Sequence, residues 1–332
     1  MRMLAAGLLA LCLASPAPAE TPAIYEKVTS LNWVVKDVDR VAAGWAQLGY
    51  PAIQDFGEVT LPVRYRGEPH TAVVRVAQAS FDGLTVFWLQ PVSGQSAWAD
   101  FLAEHGEGVM SVNYAAPSSA ALDSEVTRLE GLGVGVLQTM SVDGGQGILR
   151  VVHMDTMGEG KYIVGLTSGS VAPASQAPPA PTFGAKLSQY ALVVKDLKAV
   201  SDYWEKLGIP AMDVTHPALT DLQYHGQPGH FDQKLGWHRH GTVTWEWITP
   251  LAGPTVYQDF LDEHGEGFHH LAFDVPDIDE VGEAWTALGY PIVQSGGWGE
   301  KGKPGSGRFA YADTTSIGGV TIELLWNHPG DD

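Results

Sequence analysis

Thiols are almost missing from this 332-residue chain. Its one cysteine, Cys12, falls within the first 19 residues. Those residues read as an export leader. Met1-Arg2-Met3 is a positive start, and Leu4 to Ala14 is an apolar run too short to span a membrane. Ala17-Pro18-Ala19 is an A-x-A cleavage signal. Leu11 is too large for the small residue expected before a lipidated cysteine, which argues against a lipoprotein. Cleavage after Ala19 would remove the only thiol and with it any disulfide staple, so the mature protein must rely on its core. The expected location is periplasmic or secreted. Basic residues are also scarce: 19 Lys and Arg stand against 38 Asp and Glu, a formal charge of −19. This balance speaks against nucleic acid and membrane as partners and favours solubility and cationic ligands. No later segment is apolar enough for a transmembrane helix. The glycines lack the strand-to-helix context of a phosphate cradle.

What the chain does have is internal duplication. Glu-His-Gly-Glu-Gly occurs at Glu104–Gly108 and again at Glu263–Gly267, 159 residues apart. At the same spacing Trp45 pairs with Trp204, Leu48-Gly49 with Leu207-Gly208, Pro51 with Pro210, Tyr65 with Tyr224 and Phe101 with Phe260. Repeats at a fixed period mark a duplicated unit. Each copy is doubled again: Trp204, Leu207-Gly208 and Pro210 recur at Trp285, Leu288-Gly289 and Pro291. Four modules result. In one of them, Gln189 to Val194 reads as a strand, Asp196 as an N-cap, and Leu197, Val200, Trp204 and Leu207 as one helical face ended by Gly208. Short strands follow, giving βαβββ. The fold class is α+β, with four βαβββ modules in two domains. Residues 1–19 are the leader, 20–167 the first domain, 168–186 a Pro/Ala-rich linker and 187–328 the second domain.

Alternation along strands decides which side chains share a face. Where Leu271, Phe273 and Val275 cover the helix, His270 points the other way. The same logic leaves Gln189 opposite Tyr190 and Leu192, Glu246 between Trp245 and Trp247, and Glu323 between Ile322 and Leu324. If paired modules curl around a cleft, these four residues converge. An imidazole, two carboxylates and an amide oxygen suit a divalent metal. A lone carboxylate among such neighbours would be costly if buried unpaired. Gln189 is the weakest member, since a strand glutamine also serves as a hydrogen-bonding residue.

Three segments carry a resemblance to a known family: Gln189–Leu197 (QYALVVKDL), His269–Ile278 (HHLAFDVPDI) and Thr321–Leu325 (TIELL). They resemble the vicinal oxygen chelate superfamily, which includes glyoxalase I, extradiol dioxygenases and antibiotic-resistance proteins. The resemblance covers the whole mature chain as a tandem duplication. It implies metal ligands at Gln189, Glu246, His270 and Glu323, an order similar to the eukaryotic-type glyoxalase I set. In the first copy the 159-residue spacing puts Ser30, Phe87, Ser111 and Val164 at those positions, or Gly165 with a local shift, and none of these forms a metal site. The implied cofactor is one divalent ion, Zn, Ni, Co, Mn or Mg. The implied chemistry is a glyoxalase-like lyase or isomerase acting on a small-molecule substrate with vicinal oxygens. Glu323 or Glu246 would be catalytic, moving a proton. Two arginines that contact glutathione in glyoxalase I are replaced here by Val193 and Glu266. An extradiol-type dioxygenase with Fe(II) is the alternative, although Gln189 stands where that site needs a histidine. A non-catalytic small-molecule or antibiotic binder is a third reading. Modules could pair within one chain or across a homodimer.

Other polar residues read as structural. His269 should point away from His270 and pack. His105 and His264 occur in both copies and suit helix ends. Trp237-His238-Arg239-His240 reads as a hairpin turn ahead of a pocket-lining alternative, and Gly296 to Gly305 as a loop.

Overall fold

The computed structural model describes residues 21–50, 53–81, 83–143, 147–169, 186–239 and 243–328. The leader, Pro51, most of the linker and His240 lie outside the described residues. Two sheets are built. The first is a closed barrel of β1 (Val28–Val34), β2 (Gln54–Tyr65), β3 (Glu68–Phe81), β4 (Leu84–Ser93), β5 (Gly108–Ala115), β6 (Val136–Asp143), β7 (Ile148–Met154) and β8 (Ile163–Ser168), joined in the order β1-β4-β3-β2-β6-β7-β8-β5. The second contains β9 (Lys186–Val193), β10 (Asp213–Thr215), β11 (Leu219–Tyr224), β12 (Gln227–Pro228), β13 (Asp232–His238), β14 (Thr244–Ala252), β15 (Gly267–Asp274), β16 (Ile292–Trp298), β17 (Gly307–Ala312) and β18 (Thr321–Asn327).

In the second sheet the order is β10-β13-β14-β9-β15-β18-β17-β16-β11-β12. Modules pair within the chain, through β1 with β5 and β9 with β15, both antiparallel. The second barrel differs from the first along one seam. In the first, β2 and β3 pair along their length. In the second, their counterparts break around His216-Pro217-Ala218 and Gly229-His230, and the sheet ends at β10 and β12.

Each module's long helix follows its first strand: α1 (Val38–Gln47), α3 (Ser119–Gly131), α5 (Leu197–Lys206) and α7 (Ile278–Ala287). Asp37, Asp196 and Asp277 cap three of them, each carboxylate accepting a first-turn N–H, and Ser118 caps the other. The helices joining modules are α2 (Ala97–His105) and α6 (Val256–His264), and a short α4 (Met157–Gly160) lies between β7 and β8. His105 and His264 are the last residues of α2 and α6, each followed by a glycine with positive φ. The expected turn at Trp237-His238 is instead strand: both residues belong to β13. Gly296-Gly297 likewise lie within β16, where the loop was expected.

The helix-facing sides of both barrels share one core. Tyr162 of the first half stacks on Trp204 and Trp245 of the second, with ring centroids 4.7 and 5.0 Å apart. Trp33 Nε1 donates to the Gly318 carbonyl, and Tyr50 meets Phe273 edge-on. Gly160 must be glycine here, since a Cβ would lie 2.7 Å from the Trp204 ring. The repeated pentapeptide sits at this junction: Gly108, Phe101 and His105 line a small cleft with Gly267, Phe260 and His264. Its second glutamate closes the end of the module's first strand in each half. Glu107 accepts from Lys36 N at 2.7 Å and Glu266 from Lys195 N at 2.8 Å. Glu266 also pairs with Lys161 across the junction at 2.9 Å.

Because Tyr162 bridges the halves, Tyr162→Ala should cost about 3–5 kcal/mol of unfolding free energy, as other large aromatic truncations do. Urea denaturation followed by fluorescence and circular dichroism should give one coincident transition for both halves. Two separated transitions in the wild type would contradict the shared core.

Candidate metal centre

β9 lies between β14, to which it is parallel, and β15, to which it is antiparallel; β15 in turn is parallel to β18. Register then places residues in two rows on the inner face. In one row, Ala191 lies between Glu246 and His270. In the next, Ala272 lies between Gln189 and Glu323. Both alanines are fully buried. The two alanines are the small residues between the four polar positions, which stand at the ends of the two rows.

Glu246, His270 and Glu323 are buried, and one ligand atom from each falls within 4.8 Å of the others. His270 Nε2 lies 3.1 Å from Glu323 Oε2 and 3.5 Å from Glu246 Oε2. These atoms are within ion-pair distance, yet they form no hydrogen bond of normal geometry. Glu246 Oε2, His270 Nε2, Glu323 Oε2 and Gln189 Oε1 are all shielded from solvent without a hydrogen-bond partner. Buried polar atoms are normally bonded. Four unbonded ones at adjoining positions on one face, three of them carried by groups that can ligate, fit a divalent cation. The three-residue cluster Glu246, His270 and Glu323 is therefore a possible metal site, and Gln189 is its neighbour in the lattice of strands.

The electrostatics carry the same message. Burial alone would lower the His270 pKa, but the Glu323 and Glu246 carboxylates outweigh it and hold the imidazole at about 9. Burial, together with the charge on Glu323, raises Glu246 even though His270 opposes this. The site thus holds protons when it has no cation to hold. Beside it, Tyr311 stands opposite Glu323 in register and its ring centroid is 5.0 Å from that of His270. Tyr311 and Tyr257 share a 2.7 Å hydrogen bond between hydroxyls. Burial pushes both phenols well up, so they stay protonated.

The first half provides an internal comparison. Its equivalent rows place Asn32 between Phe87 and Ser111, and Asn113 between Ser30 and Gly165. Register therefore selects Gly165, not Val164, as the counterpart of Glu323. Asparagines replace the two spacing alanines and fill the centre. Asn113 Nδ2 donates to Ser30 Oγ and Asn32 Oδ1 at 3.0 and 3.1 Å, and Ser111 Oγ donates to Asn113 Oδ1 at 3.1 Å. A Cβ at Gly165 would fall 1.7 Å from Asn113 Oδ1, so no ligand fits there. His153, the counterpart of Tyr311, is held near pKa 4 by burial. Scaffold contacts persist in both halves. Tyr65 OH donates to Asp100 as Tyr224 OH does to Asp259. Gln138 Oε1 accepts from Ala97 N as Gln294 Oε1 does from Val256 N.

One expectation is overturned. His269 does not point away from His270. The β9–β15 register skips a residue between Phe268 and His270, so His269 is an extra residue in a bulge, which breaks the alternation. Its Nδ1 lies 2.8 Å from His270 Nδ1, and its ring packs on Tyr257, Phe260 and Tyr311. Sequence reasoning also passed over Tyr311 and Tyr257, and gave Trp237 only a pocket-lining alternative behind the turn. Trp237 stands opposite Glu246 in register. The available signal was the comparison of the two copies, which differ at Trp98 and Tyr257 as they do at the ligands.

A profile of the glyoxalase/bleomycin resistance protein/dioxygenase superfamily matches residues 188–311. The second half of the chain belongs to this superfamily. The first half repeats its fold, and the whole is a pair of vicinal-oxygen-chelate domains. A triple mutant of 4-hydroxymandelate synthase from Streptomyces coelicolor aligns with 95% of this chain and 94% of its own, at 15% identity and a TM-score of 0.57. A xylose isomerase-like TIM barrel/4-hydroxyphenylpyruvate dioxygenase fusion protein aligns with 96% of this chain and 52% of its own, at 14% identity and TM-score 0.54. A Mn(II)-bound glyoxalase from Novosphingobium aromaticivorans aligns with 94% and 84%, at 16% identity and TM-score 0.49. No curated relative is found by sequence.

The raised His270 value gives a pH prediction. A histidine with a folded pKa above its ordinary 6.5 contributes stability that is full below 6.5 and lost as pH rises through about 9. The raised Glu246 acts with the same sign. Chelator-treated protein should therefore lose stability from pH 6.5 to 9, on the order of 3 kcal/mol. Saturating divalent metal, which displaces the His270 proton, should remove most of that slope. A melting temperature flat over this range in the chelated protein would contradict the electrostatic account.

Proposed function

We propose that this protein is an exported, metal-dependent enzyme of glyoxalase-like type, a lyase or isomerase acting on a small molecule with vicinal oxygens. The observation that carries the reading is the set of unbonded inward atoms on Gln189, Glu246, His270 and Glu323. Those four residues would hold one divalent ion, which when bound supplies a Lewis acid and a template for two adjacent oxygens. The rest is done by the chain. His270 and Gln189 act as fixed ligands, and the two carboxylates together match the charge of the ion. One of them is free to take up and return a proton. Val193 and Ile248 cluster with Val256, Tyr257 and Leu261 of α6, so α6 covers one end of the barrel. The Gln189–Glu323 row lies farther from that end than the Glu246–His270 row. We therefore assign the proton-moving role to Glu323 first and Glu246 second. The Tyr311 hydroxyl, kept protonated by burial and bonded to Tyr257, would donate a hydrogen bond to substrate.

Two observations bear on substrate and reaction. The positions expected to contact glutathione are Val193, buried in the core, and Glu266, engaged with Lys195 and Lys161. This supports a small substrate without a glutathione arm. A dioxygenase reading with Fe(II) would require a second histidine ligand. His269 is adjacent, but its Nδ1 is turned to His270 Nδ1, away from the centre.

Elemental analysis of purified mature protein should find one divalent metal per chain and almost none in His270→Ala. Glu323→Gln should keep the metal while turnover of α-hydroxycarbonyl compounds falls about 10²–10⁴-fold, the usual range for a lost acid–base group. Full activity in that variant would sink the assignment. Iron with oxygen uptake on a catechol would establish the dioxygenase reading in its place.

A further inference from the structure

His269 is a buried histidine for which the proposed chemistry has no use. Its placement is nevertheless specific. The bulge in β15 turns it to the His270 side, with its Nδ1 2.8 Å from His270 Nδ1. A second hydrogen bond runs from its ring to the Val256 backbone. The Val256 amide is already given to Gln294 Oε1, so the partner is the Val256 carbonyl, and the imidazole must donate to it. With Nδ1 facing His270, the donating atom is Nε2. His269 therefore keeps its proton on Nε2 and presents a lone pair at Nδ1.

That lone pair decides the tautomer of its neighbour. Two carboxylates, at 3.1 and 3.5 Å from His270 Nε2, draw a proton to that atom, where it would block metal binding. An acceptor at Nδ1 draws the proton to the opposite side of the ring. We propose that His269 is a positioning residue that holds the His270 proton on Nδ1 and so aims the Nε2 lone pair at the metal. This rests on the metal reading above. The two halves support it: residues that only brace the fold recur in both, namely Tyr65 and Tyr224, and Gln138 and Gln294. The matching bulge position in the first half, where the ligand is Ser111, is Met110. Ligand and supporter are lost together. Orientation of a ligating histidine by an acceptor on its other nitrogen is a general feature of metal sites.

The test is metal affinity, measured by chelator competition with zinc and manganese on folded protein. His269→Leu removes the acceptor and should weaken binding about 10–100-fold. His269→Asn places an amide oxygen where Nδ1 lay and should restore affinity to within about 3-fold of wild type. Equal affinity in the leucine variant and wild type overturns the proposal. Equal weakening in both variants, matched by their melting temperatures, reduces His269 to packing. A wild type that takes up no metal overturns the metal reading itself. Should the leucine variant not fold, nitrogen NMR of zinc-loaded wild type decides. Coupling across an N–H···N bond between the two Nδ1 atoms is expected, and a proton on His270 Nε2 overturns the proposal.

Discussion

Two carboxylates and an imidazole are buried together inside the second barrel, and the atoms they turn toward one another are not hydrogen-bonded. Burying a charge without compensation costs several kcal/mol, so such a group either stays protonated or meets a cation. The rest of the inner face is arranged around that constraint. Ala191 and Ala272 put small side chains between the four polar positions, Tyr311 and Tyr257 supply neutral phenols, and α6 covers one end. In the first barrel the same lattice positions avoid the problem. Asn32 and Asn113 fill the centre with neutral amides that satisfy one another, and Gly165 leaves no room for a carboxylate.

The two barrels nevertheless depend on each other. Their helix-facing sides merge into one core through Tyr162, Trp204, Trp245 and Trp33. The duplicated Glu-His-Gly-Glu-Gly belongs to this junction. Its helix-ending glycines and second glutamates brace both halves alike. The first half thus has a structural task in bracing the half that carries the cluster.

Much of this was legible in the sequence. Period-two alternation put Gln189, Glu246, His270 and Glu323 on one face because the flanking residues, among them Trp245, Trp247, Ile322 and Leu324, are large and apolar. The Asp caps and their amphipathic helices were equally plain. The failures have physical causes. His269 was misplaced because a bulge adds a residue that no periodicity reveals. Trp237-His238 looked like a turn because its composition is polar, whereas pairing with β14 makes it strand. The spacing alanines carried no signal until compared with the asparagines of the first half. The break at His216-Pro217 depends on which strands pair, and pairing is a long-range property.

An anomalous difference map from crystals of the protein equilibrated with Mn(II) would test the central contrast between the halves. One peak is predicted, bounded by Glu246, His270 and Glu323 with Gln189 beside it, and none among Asn32, Ser111 and Asn113. A peak in the first barrel, or an empty second barrel at saturating metal, would contradict the account.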